Sequence, residues 1–375
     1  MLERFKVPTD IAVRVPVDDM RQTVEDMFQC LGMPEADARQ AADVLLYADI
    51  RGCESHGVSN MMRPYVRELQ SGDINPTPEW KIIRDGRAAV NIDGDRGLGL
   101  VVGPQAMEVA IERAKAHGVG VVTVTNSRHY GAAAYHAHMA VPHDMIGLSM
   151  TAGGVQVTPT WGAEAIIGLN PISVAVPAGE EAPFVFDASM SSVAGNKIRL
   201  AQRLGVPVLP GWIAESDGAP IMDECAVPDD FLMLPAGGTR EIGSHKGYGM
   251  AVMVEVLTSL LSGGHCGPFR RAGIAHYFQA IDIDAFTDVA DFKRDFDEYL
   301  RALKNCTPAP GHERVVYAGL TAAEEEADRR ANGIPYHPEV IDWFQTTCTE
   351  LGVRARLQHP TSHHRLHRGV AGDGR

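Results

Sequence analysis

Positive charge is scarce in this sequence. Lys and Arg number 34 against 48 Asp and Glu, a formal net charge of −14, and there is no basic stripe of the kind that neutralises a nucleic-acid backbone. Long apolar runs are also missing: none approaches the roughly 20 residues that span a bilayer. The opening MLERFKVPTD lacks the charged-then-apolar layout of a secretory leader. The expectation is a cytoplasmic protein with neither a nucleic-acid nor a membrane partner. Six cysteines (Cys30, Cys53, Cys225, Cys266, Cys306 and Cys348) form no C-x-x-C pair, which argues against a disulfide framework and a structural zinc site. Cys53 reads as a small buried hydrophobe. A dinucleotide fingerprint is absent too: Gly97-Leu98-Gly99 with Gly103 puts the last glycine one place too late for G-x-G-x-x-G, and no P-loop occurs. A bound nucleotide must be held in another way.

What is present is enough chain, 375 residues with 45% hydrophobic, for two or three domains with a cleft between them. Residues 18 to 52 read as two helices, the first ending at Gly32 and the second starting near Pro34. From about residue 80 strand-like runs take over: WKIIRD, AAVNIDG, a helix opened by Pro104 and closed by Gly118, then GVVTVTNS, MIGLSMT, AIIGLNPISVAVPAG and APFVFDAS. GYGMAVMVEVLTSLLSGG reads as one long helix, apolar almost all round and therefore buried. Three further helices end the globular part. The layout predicts an N-terminal helical part (1–75), an α/β domain (76–290), C-terminal helices packing back on the N-terminal part (291–353) and a disordered tail (354–375).

Four stretches carry chemistry. In DIRGCESHGVSNMMRPYV, Ser55, His56 and Gly57 follow a helix end, placing a titratable imidazole beside a hydroxyl. In VVTVTNSRHYGAAAYHAHMA, a β-rich run ends at Ser127-Arg128-His129-Tyr130-Gly131, the strand edge where α/β folds place ligands. In FVFDASMSSVAGNKI, Asp187 ends a strand and small hydroxyl residues follow. In GSHKGYGM, His245 and Lys246 open a helix whose N-terminus suits an anion. Taken alone, the first reads more readily as a hydrogen-bonded structural histidine, and the Asp187 and Lys246 stretches read as well as a Ser-rich turn and a capping turn. The histidines His129, His136, His138 and His143 invite a metal reading, but their spacing gives no compact ligand set, and no metal is expected; His136, His138 and His143 read as surface or packing residues.

Taken together and in order, RGCESHGV, NSRHYGAAAYHA, GLNPISVAVP, FDASMSSVAGNKI, KGYGMAVMVEVLTSLLSGG and PGHER resemble the type-2 malate/L-lactate dehydrogenase family. That family also holds ureidoglycolate, sulfolactate and diketogulonate dehydrogenases or reductases and piperideine-2-carboxylate reductase. The resemblance implies an α/β nicotinamide-binding domain unrelated to Rossmann, a helical part made from both chain ends, and a homodimer. It implies hydride transfer between NAD or NADP and a small 2-hydroxy or 2-keto acid. His56, oriented by Ser55, resembles the proton donor or acceptor, a role that some members give to the match of His129, with Asp187 in support. Thr151, Asp187, Ser189, His245, Lys246, Gly311, His312 and Glu313 match cofactor contacts. Many members carry an Arg where this chain has Asn60, so Arg63, or else Arg128, is expected to hold the substrate carboxylate. VAGNKI in place of Ala-Arg-Gly-Lys-Ile leaves NAD and NADP both open. The alternatives are a reductase of cyclic imino acids, a non-catalytic dimeric ligand-binding homologue, and a metal-dependent hydrolase on the histidine cluster.

Overall fold

A computed structural model describes residues 6–271 and 273–357. The chain enters through a short strand, β1 (Val13–Val15), and three helices, α1 (Val17–Cys30), α2 (Glu35–Ile50) and α3 (Val58–Gln70). Pro16 and Pro34 precede the first two helices and acidic residues fill their first turns, both favourable at a helix N-terminus. Helix α3 runs through Pro64. Next come β2 (Lys81–Asp85), β3 (Ala89–Asp93), α4 (Gly99–His117), β4 (Val119–Ser127), α5 (Ala133–His138) and β5 (Met145–Ala152). Helix α4 starts five residues before Pro104, the expected opening, because its first turns sit tightly on the loop after β4. A Cβ at Gly99 would stand 2.5 Å from that of Tyr130, and one at Gly103 would stand 2.7 Å from the His136 ring. The near-miss to a nucleotide fingerprint is therefore a packing device.

Small strands β6 (Val155–Val157) and β7 (Ile167–Gly168) lead to β8 (Ile172–Val176), β9 (Phe184–Ala188), α6 (Gly195–Leu204), β10 (Ile213–Ala214), β11 (Leu232–Met233) and α7 (Ser244–Glu255). A π-helical turn, Val256–Leu260, extends α7. Then follow β12 (Ile274–Asp282), α8 (Val289–Asn305), α9 (Leu320–Asn332), β13 (Ile334–Tyr336) and α10 (Pro338–Leu351).

Seven strands form the main sheet in the order β2-β3-β4-β12-β5-β8-β9. Only β3 and β4 pair in parallel; the other neighbours are antiparallel. A doubly wound dinucleotide fold would instead need parallel neighbours throughout its core. Because β4 and β5 both run antiparallel to β12, and β9 runs antiparallel to β8, strands β4, β5 and β9 all finish at one edge. Ser127, Ala152 and Ala188 lie along that edge.

Helix α4 covers one face of the sheet, packing Ala106, Ala110 and Ala114 with Val122, Val124 and Phe278. On the other face Ala251 and Val254 of α7 meet Met150 and Tyr277. A separate core joins α1–α3 to β13, α10 and Leu357. Leu357 is buried and Arg356 pairs with Asp26, so the expected disordered tail does not begin at 354; residues 358–375 lie outside the described residues. Helix α8, grouped in the sequence with the C-terminal helices, sits elsewhere. Its Asp297 accepts hydrogen bonds from the N–H groups of Gly179, Glu180 and Glu181, and Phe296 packs on Phe184.

One expectation is corrected outright. Helix α7 and its π-helical extension are not buried all round: Met250, Met253, Val256 and Leu260 are 40–52% exposed. Within one chain the sheet can cover only one side of such a helix.

Candidate active site

A cleft of about 1770 Å³ opens between the helical body and the shared strand edge. Its walls follow from the topology. His129 comes just after β4, Thr151 from the end of β5, Asp187 and Ser189 from the end of β9, and Ser55 and His56 from the loop between α2 and α3.

The two histidines face each other with rings nearly parallel, at 11° and 6.0 Å between centroids. Ser55 Oγ lies 3.0 Å from His56 Nδ1, leaving Nε2 for the cleft. At His129 the N–H of Gly131 donates to Nδ1 and the Tyr65 hydroxyl lies 2.6 Å from the same nitrogen. Nδ1 is thus an acceptor, and a neutral His129 carries its proton on Nε2. Burial pushes His56 down to about 4 and His129 to about 3, in the second case with help from the neighbouring His56 and His136. Both rings are neutral at pH 7: His56, with Nδ1 against Ser55, has Nε2 free to take a proton from a hydroxyl group, while His129 presents Nε2–H as a donor. Asp187 accepts from the Ala134 N–H at 2.9 Å. Desolvation raises its carboxyl to about 6, against the lowering effect of that hydrogen bond.

The loop that carries His56 is braced from below by residues that the sequence reading did not single out. Asp49, buried at the end of α2, accepts from the Val58 N–H and the Tyr336 hydroxyl through Oδ2. This supplies the acceptor that the start of α3 needs, since no local side chain caps it. Burial raises Asp49 to about 7. Arg329 donates to the Asp49 carbonyl at 2.6 Å and pairs with Glu54. Asn196, in the first turn of α6, donates to the Ser55 carbonyl at 2.7 Å and so ties the α/β body to the histidine loop.

Several expected contacts are not brought together. Arg63 pairs with Glu339 and lies over the Trp343 ring at 5.4 Å. It points at α10: His56 lies in the loop before α3, which begins only at Val58, so the seven-residue helical spacing that would set Arg63 on the face of His56 does not apply. Asn60 is buried and donates to the Glu54 carbonyl, bracing the loop. Arg128 does line the cleft; its Nε donates to the Asp73 carbonyl. His245 and Lys246 are exposed in the first turn of α7, and Gly311, His312 and Glu313 in a turn before α9; none of the five lines the cleft of one chain. Cys53 lines the cleft, with its thiol pushed up to about 11 by burial, so it is no ready nucleophile.

The histidine cluster disperses. His136 is fully buried and stacks on Tyr130 at 4.6 Å, with His276 stacked on the other side of that ring at 4.7 Å. His138 lies against Tyr47 and His143 is exposed. Among the described residues no group of three His, Cys, Asp or Glu side chains is placed to hold a metal.

Known proteins are similar to this chain over most of its length. Malate dehydrogenase of Pyrococcus abyssi is 39% identical over 349 residues, which cover 91% of this chain and 96% of that one. L-sulfolactate dehydrogenase of Methanocaldococcus jannaschii is 34% identical, over 90% of this chain and 96% of its own. Among solved structures, malate dehydrogenase from Pyrococcus horikoshii OT3 superimposes with a TM-score of 0.85 at 34% identity, covering 93% of this chain and 98% of that one. Residues 15–345 match malate/L-lactate dehydrogenase as a family. The chain therefore belongs to the malate/L-lactate dehydrogenase family, whose named relatives here are hydroxy-acid dehydrogenases.

Proposed function

We propose that this protein transfers hydride between NAD or NADP and a small 2-hydroxy acid or its 2-keto counterpart, with the histidine pair handling the proton. The observation that carries this reading is the facing of His56 and His129 in one cleft beside Asp187. The fit to a nicotinamide cofactor rests on size and lining. The cleft exceeds the roughly 300–1,000 Å³ typical of a small-ligand site, and its far wall is made of small residues, Ser189, Ser191, Ser192, Ala194 and Gly195, that let an extended ligand approach the backbone. The cofactor, when bound, accepts or supplies the hydride.

The chain's own residues do the rest. With Nδ1 against Ser55, His56 offers Nε2 as the base for the substrate hydroxyl, and as the acid in the reverse direction. His129 presents its Nε2 proton to the same oxygen as a hydrogen-bond donor. Arg128, next to it, is the cation for the carboxylate. A second assignment has support of its own: the Tyr65 hydroxyl 2.6 Å from His129 gives that ring a partner through which to exchange a proton. Replacing His56 by Ala should lower turnover of 2-keto acids by roughly 10² to 10⁴ with cofactor affinity kept, followed by loss of reduced-nicotinamide absorbance with NADH and with NADPH. Loss confined to His129→Ala would move the proton to His129. No turnover of any 2-keto acid or cyclic imino acid would refute the dehydrogenase reading and favour a non-catalytic ligand-binding role.

The active form is proposed to be a homodimer. The exposed apolar side of α7 supports it, as does the position of His245 and Lys246 at the head of that helix.

A further inference from the structure

Beside the cleft lies a second cavity of about 610 Å³, lined by Arg96, Arg128, Arg270 and Arg271, with Asn126 and backbone from Gly154, Gly267 and Gly273. No carboxylate is among its lining residues. Four arginines lining one open cavity in a protein of net charge −14 run against the overall composition. Like charges around one cavity repel unless a counter-charge enters.

The geometry points to a built site for a doubly charged oxyanion, and we propose that Arg96, Arg128 and Arg271 bind one there, with Arg270 as their fixed wall. Arg270 already has a compensating charge: it bonds both Glu255 carboxylate oxygens, at 3.0 and 2.9 Å, and also donates to the Gly153 carbonyl. The other three make no ion pair among the described residues. Arg96 donates to the Gly72 carbonyl and Arg128 to the Asp73 carbonyl. Backbone carbonyls are neutral acceptors, so these bonds fix the planar groups without cancelling their charge. A guanidinium held in this way loses less freedom on binding, and its fork matches phosphate or carboxylate oxygens. Glu68 approaches Arg128 from the cleft side and makes no ion pair with it.

Arg128 and Gly154 line both cavities. The bound anion therefore has two chemical sources, the second acid group of a substrate lying in the cleft or a free phosphate-like anion. The inference stands apart from the dehydrogenase reading, because its test needs no turnover.

Inorganic phosphate titrated calorimetrically into the full chain, at ionic strength held constant with chloride, should give saturable binding at one site per chain. The double variant Arg96→Gln with Arg271→Gln should bind about tenfold more weakly or less, a change of about 1.4 kcal/mol. It should keep the parent's circular dichroism and its melting temperature in chloride, and Arg84→Gln, an exposed control on β2, should bind phosphate as the parent does. Heats no larger than the chloride control, or equal binding by the parent and the double variant, would overturn the proposal. Where phosphate binds, displacement by oxaloacetate but not by pyruvate supports a site for the second acid group of a substrate. Binding that neither displaces supports a free anion.

Discussion

A methyl group at position 57 would stand 1.8 Å from the Asp49 carboxylate, so the glycine that follows His56 is dictated by a buried acid eight residues upstream. The SHG triplet was legible in the sequence as a place for a titratable ring. Asp49 was not, because it falls at the end of an apolar helix stripe, and only the fold shows Val58, Tyr336 and Arg329 converging on it from three segments. Arg63 shows the opposite error. Spacing alone returned it to the face of His56, while the structure spends it on Glu339 and the Trp343 ring. Arg63→Ala should therefore leave the Michaelis constant for a 2-keto acid within about twofold and lower stability by about 1 kcal/mol, the sum of a partly exposed ion pair and a cation–π contact. Thermal melts and steady-state kinetics on the same preparation decide this, and a large rise in the Michaelis constant with unchanged melting would restore Arg63 to the substrate.

Among the elements, the strands that carry site residues were read in sequence as β-rich runs ending in polar motifs, and that reading placed Arg128, His129 and Asp187 at strand ends. Their convergence on one edge was not readable, because it depends on β12, which reverses direction between β4 and β5. The segment IAHYFQAID was named as no element at all. It is buried on both faces, with Phe278 toward α4 and Tyr277 toward α7, so it lacks the alternation of a half-exposed strand. Its aromatic and branched residues after Gly273 were the available signal. Helix α7 was misjudged for a related reason, since an all-apolar helix signals burial without saying by what. Contiguous exposed apolar faces mark association sites. Met253→Glu combined with Leu260→Glu should convert a parent sedimenting at twice the chain mass into monomers. A parent that already sediments as a monomer would end the dimer proposal.

Over the whole molecule, two fully buried imidazoles set an acid limit on the fold. Burial holds His136 at about 4 and His276 at about 3, whereas both would protonate near 6.5 in an unfolded chain. Between these values the unfolded chain binds more protons than the folded one, so falling pH favours unfolding. Asp49 acts in the opposite sense: raised to about 7, it takes up a proton in the fold between about pH 7 and 4, which the unfolded chain does not. His56 and His129, also lowered, add to the destabilising side, and Asp187, raised to about 6, to the other. Glu25, Asp37, Glu54 and Glu68, also raised by burial, oppose the imidazoles as Asp49 and Asp187 do. The four deeply lowered imidazoles are expected to prevail, giving a melting temperature that falls from pH 6.5 to 4. His136 isolates the effect, since its Nδ1 is without a hydrogen-bond partner among the described residues and only Nε2 is engaged, with the Tyr130 carbonyl. His136→Gln should be less stable than the parent at pH 7, through lost stacking on Tyr130. Its curve of unfolding free energy against pH should be flatter below 6.5 by up to one proton equivalent, about 1.4 kcal/mol per pH unit. Denaturant titrations of both proteins at half-unit steps from pH 7 to 4 measure this, and parallel curves would mean that the folded chain accommodates a charged His136 after all.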